Sequence, residues 1–305
     1  MMKTITAAVL LSLLASPASA KLRVVATTQD LAAIAREIGG EHVEVEAIAK
    51  GYQDPHFVAA KPSYLLKLKR ADLFIQVGRE LEVSWAPPLL LSARNRKILP
   101  GGAGYLDASA GCDVLEAGAA ADRSQGDVHP SGNPHYWLDP ANGRIIAGNI
   151  AEKLSLLAPE SAGDFRRNLK SFEAALASKE KSWEALTAGF VGTKVVTYHN
   201  SWPNFMRRFK FKVINYVEPK PGIPASPAHV RALIEQIRRE QVPLLIMEPY
   251  FDDKLARKIA AETGIRIVVL PPSVGAVPEV RTYFDLFDHD LKLLAEALKP
   301  GGRRP

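Results

Sequence analysis

Cysteine is nearly missing: Cys112 is the only one among 305 residues. That excludes an internal disulfide framework and any Cys-x-x-Cys zinc knuckle. Long apolar runs are missing as well. Beyond the N-terminus no stretch approaches the roughly eighteen uninterrupted apolar residues of a membrane-spanning helix. Charge of one sign is not concentrated either. The net charge is +6, and the basic residues are scattered, with no basic stripe interleaved with aromatics, so nucleic-acid binding is not expected. The chain has neither a His-Glu-x-x-His helix nor a Gly-x-Ser-x-Gly elbow, two common hydrolase signatures.

The first twenty residues read as a leader. Lys3 supplies a positive start, Ala7 to Leu14 a short apolar run, and Ala18-Ser19-Ala20 a small-x-small cleavage signal. The mature chain is expected to begin at Lys21. No cysteine follows the apolar run, so the expectation is a soluble periplasmic protein rather than a lipid-anchored one. The composition, 47% hydrophobic and 24% charged, is that of an ordinary globular chain. Its length allows one large domain or two lobes.

The mature chain alternates strands and helices. Leu22–Ala26 predicts a strand, Leu31–Ile38 a helix, Val43–Ile48 a strand, Lys61–Leu68 a helix and Ala71–Val77 a strand. This β-α-β-α-β order points to an α/β lobe. Lys97–Leu99 suggests one more strand. Residues 101–134 read as loop with at most a short strand near Val114, and 141–157 as helix. From Pro159 to Leu186, Phe165, Leu169, Phe172, Leu176, Trp183 and Leu186 recur at near-helical spacing. One helix of that length would run roughly 42 Å, enough for a spine between two lobes; two shorter helices with a break remain open. Strands are then expected at Val195–Tyr198, Val213–Val217, Leu244–Met247 and Ile265–Leu270. Helices are expected at Pro227–Arg239, from Asp252 or Asp253 to Thr263, and at Glu279–Leu298. The resulting division is a leader at 1–20, an N-terminal lobe at 21–157, a linking helix at 158–189, a C-terminal lobe at 190–300 and a tail at 301–305.

Seven histidines stand out by context. His42, His229 and His289 sit at a turn or among charged helical residues, which suits surface positions. His56, His135 and His199 each follow or lie between strands, in Asp54-Pro55-His56, in Asn133-Pro134-His135-Tyr136-Trp137-Leu138-Asp139-Pro140, and in Tyr198-His199-Asn200-Ser201-Trp202. Loops beyond the carboxyl ends of parallel strands are where α/β sheets bind ligands. Three neutral imidazoles would make most of a zinc shell. Spacing alone leaves open that these are unrelated polar loop residues.

These segments, together with Met247-Glu248-Pro249, resemble the metal-contact motifs of the TroA-like zinc and manganese solute-binding proteins of ABC importers. The resemblance covers nearly all of residues 21–300. It implies two α/β lobes with mainly parallel sheets, joined by one long rigid helix, with metal in the cleft between them. It implies His56 and His135 as ligands on the first lobe and His199 on the second. It further implies a protein that is not an enzyme, a monomer that docks at the membrane only through a permease and its ATPase.

The sequence departs from that pattern twice. Family members commonly supply a fourth ligand, an aspartate after the last strand; here that position is Pro272. Glu248 is the first candidate to replace it, with Glu218, His129 or water as others. Glu248 could equally orient a histidine from behind. A histidine-rich loop before the second ligand is also missing: residues 119–132 contain only His129. Three imidazoles favour Zn²⁺ over Mn²⁺, whose sites lean toward carboxylate oxygens. Two other readings stay open. One is a zinc hydrolase with Glu248 as general base. The other is a metal-chelate binder lined by Tyr52, Tyr136, Trp137, Trp202 and Tyr250.

Overall fold

The computed structural model describes residues 20–118, 129–220 and 222–299. The expected leader, the tail and most of the 119–132 loop lie outside these residues. Two four-stranded parallel sheets carry the fold. The first comprises β1 (Leu22–Ala26), β2 (Val43–Ala47), β3 (Leu73–Gln76) and β4 (Tyr105–Asp107), in the order β2-β1-β3-β4. The second comprises β5 (Lys194–Thr197), β6 (Lys212–Tyr216), β7 (Leu244–Met247) and β8 (Arg266–Val269), in the order β6-β5-β7-β8. The two lobes therefore repeat one topology. Each reverses strand order beside its first strand, the kind of switch point at which α/β sheets hold ligands.

Alternation along the strands assigns their faces. Val24 and Ala26 join one core while Val25 joins another; likewise Val195, Leu244 and Ile246 separate from Val196, Leu245 and Met247. Successive side chains of a strand point to opposite faces, so each sheet is covered twice. The outer cores are separate, one under α2 (Pro62–Arg70) and α3 (Ala86–Ala93), the other under α7 (Pro227–Glu240) and α8 (Lys254–Thr263). The inner core is continuous through both lobes. It joins α1 (Gln29–Gly39), α4 (Pro140–Leu157), α5 (Ala162–Thr187), α6 (Pro203–Arg208) and α9 (Tyr283–Leu298).

The spine is α5, 26 residues long, or about 39 Å. A 3-10 turn at Pro159–Ser161 precedes it, and no break divides it. Its buried stripe is Phe165, Phe172, Leu176 and Trp183; toward α9, Phe172 meets Phe284 with ring centroids 5.0 Å apart and Trp183 donates to Asp288 at 2.8 Å. The C-terminal helix thus returns to the linking helix and to α4, where the Tyr283 ring fills the space over Gly143.

Some sequence expectations are corrected. Lys97–Leu99 is not a strand: Arg96–Ile98 forms a 3-10 turn. The fourth strand is Tyr105–Asp107, pairing Phe74 with Tyr105, and there is none at Val114. Three residues among glycines give too little alternation to read. The last helix starts at Tyr283, not Glu279, because Thr282 and Asp285 form a reciprocal capping box there. Helices α3 and α6 are not among the expected elements; Pro87, Pro88 and Pro203 each sit in a first turn, which tolerates proline.

Candidate metal centre

Each of the three histidines is held by side chains near it in sequence, and His56 and His199 also by groups the fold brings in. His56 lies in the connection from β2 to α2. Asp54 folds back on it, its Oδ1 accepting from the His56 backbone N–H at 2.9 Å and from ring Nδ1 at 2.7 Å, an Asx-type turn. Trp85 Nε1 donates to the Pro55 carbonyl and Ser84 Oγ to the His56 carbonyl, both at 2.9 Å.

His135 lies between β4 and α4, and its motif can be read residue by residue. Asn133 Oδ1 accepts from the His135 N–H at 3.0 Å. Tyr136 donates to the Val77 carbonyl at the end of β3 at 2.7 Å. Trp137 Nε1 donates to the Pro272 carbonyl of the other lobe at 3.1 Å. Asp139 caps α4 by accepting from Ala141 N at 2.9 Å, and Pro140 opens that helix. His199 follows β5 by two residues, at the second switch point. Thr197 Oγ1 donates to its carbonyl at 2.9 Å, and its Nδ1 lies 2.9 Å from Glu218 Oε2.

The three rings converge. Their centroids are 5.2, 5.6 and 6.0 Å apart, and one potential ligand atom from each lies within 4.8 Å of the others. Imidazole nitrogens about 2.0–2.1 Å from a tetrahedral zinc are roughly 3.3 Å from one another. Closing from 4.8 Å to that spacing takes at most about 1.5 Å. All three are buried, at 6, 2 and 6% exposure. His56 Nε2 and both ring nitrogens of His135 lack hydrogen-bond partners. Buried polar atoms are rarely left so, because each costs about 1–3 kcal/mol; a cation among them would supply the missing partner.

The electrostatics divide the roles. Burial, then the neighbouring histidines, holds the His135 imidazole well below its ordinary pKa, so it stays neutral. Burial acts in the same direction on His199, but it is outweighed by the hydrogen bond to Glu218 and the charges of Glu248, Glu218 and Asp54, which raise its pKa. Burial would raise Asp54, yet its bond to His56 holds it below the usual carboxylate range. Carboxylates on Nδ1 of His56 and His199 leave Nε2 as the free donor, the usual arrangement behind metal-bound histidine.

The other expected residues fall in different places. Glu248 is fully buried at the end of β7, accepts from Trp202 Nε1 at 2.9 Å and lies outside the three-histidine group. Burial pushes its pKa up to about 7. Glu218 stands behind His199. The His129 ring is 5.3 Å from that of His56, on the flank of the group. Cys112 takes no part, and burial pushes its thiol up to about 12. His42 pairs with Asp164 at 2.7 Å and His229 with the Tyr216 carbonyl at 2.9 Å. Sequence reasoning missed Asp54 as a support for His56, although an aspartate two residues before a loop histidine is a readable turn signal.

The family model for ZnuA, zinc-uptake complex component A, periplasmic, matches residues 24–297. The chain belongs to this family. The metal ABC transporter substrate-binding lipoprotein ScbA of Streptococcus cristatus is 27% identical over 288 residues, spanning 92% of this chain and 90% of the relative. The manganese ABC transporter substrate-binding lipoprotein PsaA of Streptococcus mitis is 27% identical over 286 residues, spanning 91% and 89%. A crystal structure of ZnuA superimposes with a TM-score of 0.76 at 23% identity, over 92% of this chain and all of that one, a likeness of fold. As a ZnuA-family member the chain is a metal ABC transporter substrate-binding protein and not an enzyme, which sets the hydrolase reading aside.

Proposed function

We propose that the protein captures Zn²⁺ in the periplasm and delivers it to the permease of an ABC importer driven by a separate ATPase. The observation that carries this reading is the buried group of His56, His135 and His199 with nitrogens lacking partners. Nε2 of His56 and of His199, with one His135 nitrogen, would hold the ion. Water, or His129 moving in from the flank, would complete four positions. Glu248 has one oxygen engaged by Trp202 and the other buried without a hydrogen-bond partner, so it is a further candidate for the fourth position as well as a charge that favours a cation near His199.

The choice of zinc rests on donor chemistry. The converging group holds three nitrogens and no carboxylate, and Pro272 occupies the place where a family aspartate is expected. Manganese favours oxygen donors. The chelate reading loses support because Tyr136, Trp137 and Trp202 are buried with their polar atoms engaged. Periplasmic release is supported by the leader pattern of residues 1–20 and by the sole cysteine being Cys112; among the described residues no helix is long and apolar enough to cross a membrane. A monomer fits this role.

Competition of the two ions tests the selectivity. Metal-stripped protein titrated with zinc in excess manganese is expected to bind zinc more tightly than manganese, in the affinity order for nitrogen sites. Comparable affinities would overturn zinc as cargo while leaving metal capture intact.

A further inference from the structure

Backbone strain is concentrated around one element. The non-glycine residues with left-handed φ among those described are Arg79, Glu80, Arg94, Glu116, Lys210 and Gln241. Arg94 and Gln241 cap the ends of α3 and α7, and Lys210 follows α6, where left-handed residues are ordinary. Arg79 at φ 52°, Glu80 at 62° and Glu116 at 60° end no helix. Strain of this kind persists only where the surroundings impose it, and it clusters at functional sites.

All three residues lie on or against the stem that leads to His135. Its two arms are joined by Asn133 N–H to the Leu115 carbonyl at 2.7 Å and Gly118 N–H to the Pro130 carbonyl at 3.0 Å. On the first lobe, Arg79 Nη1 donates to the Ser131 carbonyl at 3.2 Å, and Ser131 donates its N–H and hydroxyl to Glu80. Glu116 reaches the other way. Its Oε2 accepts from Asn133 Nδ2 at 3.2 Å and from Asn200 Nδ2 at 2.8 Å, while Asn133 Nδ2 also donates to the Asn200 carbonyl at 2.9 Å. Asn133 holds the His135 N–H, and Asn200 follows His199 directly. One carboxylate oxygen therefore ties the neighbour of a histidine on one lobe to the neighbour of a histidine on the other.

We propose that Glu116 is an interlobe clasp, a positioning residue that holds the His135 and His199 loops together and so prolongs the residence of the bound metal. The proposal rests on the three-histidine reading of the site. Glu116 is exposed and touches no histidine, so it acts on spacing and not on coordination. Separating the two loops lengthens the gap that the ion must bridge. Holding the loops together therefore slows release more than it changes capture, since related sites differ mainly in off-rate.

The test compares Glu116→Ala with Glu116→Gln, which keeps one oxygen acceptor but not the charge. Hydrogen exchange of residues 198–204 is followed in metal-free protein, and zinc release to excess chelator is followed by stopped flow. Glu116→Ala is expected to exchange faster there and to release zinc about tenfold faster, at the lower end of effects from outer-shell groups, with capture changed by less than about twofold. Glu116→Gln is expected to recover most of both. Wild-type exchange in Glu116→Ala, or faster exchange with an unchanged release rate, would overturn the clasp while the metal site stands. A wild-type protein with no zinc to release would instead remove the metal reading, and the proposal with it.

Discussion

His199 and His135 share one cluster but hold protons differently. His135, buried among imidazoles, stays neutral, whereas Glu218 and its acidic neighbours raise the His199 pKa above 6.5. Only the unprotonated ring binds metal. A raised pKa means that protonation competes first at His199, so affinity should begin to fall at a higher pH than an ordinary imidazole would set. Glu218→Gln separates two effects. It removes the carboxylate that orients the ring, which should weaken zinc binding at pH 8 by about 10–100-fold. It also removes the group that raises the pKa, so the acid limb of the affinity profile should move to lower pH. An unshifted limb in Glu218→Gln would show that Glu218 does not set the His199 proton. Much of this site is legible in sequence, because prolines and strand ends mark His56, His135 and His199. The contact of a carboxylate with the His199 ring is not. Glu218 reaches His199 only because β5 and β6 are paired, and that register is not written near either residue.

At the scale of elements, boundaries follow local chemistry more than periodicity. The last helix illustrates this. Glu279 to Arg281 contain helix formers, but the reciprocal bonds of Thr282 and Asp285 place the start at Tyr283. Thr282→Ala should cost about 1 kcal/mol of stability and leave zinc affinity unchanged, checked by denaturant unfolding beside a metal titration. A loss of affinity in that variant would mean that α9 acts on the site and not only on the inner core. Strands buried on both faces, such as Leu244–Met247, are read correctly from their apolar runs. The short edge strand Tyr105–Asp107 is not, since three residues carry no visible alternation, and its place is set by pairing to β3. The proline-initiated helices α3 and α6 are a different case: a residue that stops a helix in its interior starts one at its first turn.

Across the whole molecule, one inner core runs from α1 and α4 through the spine α5 to α9 and the inner face of the second sheet. Two lobes that share a core cannot swing far apart without exposing it, so capture and release are expected to use small movements of the loops at the strand ends. That places the histidines where the fold is rigid beneath and adjustable above. Metal content tests this account most directly. The mature protein should bind one zinc ion tightly, and the His56→Ala/His135→Ala/His199→Ala variant should bind none while keeping the circular dichroism of the wild type. A folded triple variant that still holds one tight zinc, or a wild-type protein that holds none, would contradict it.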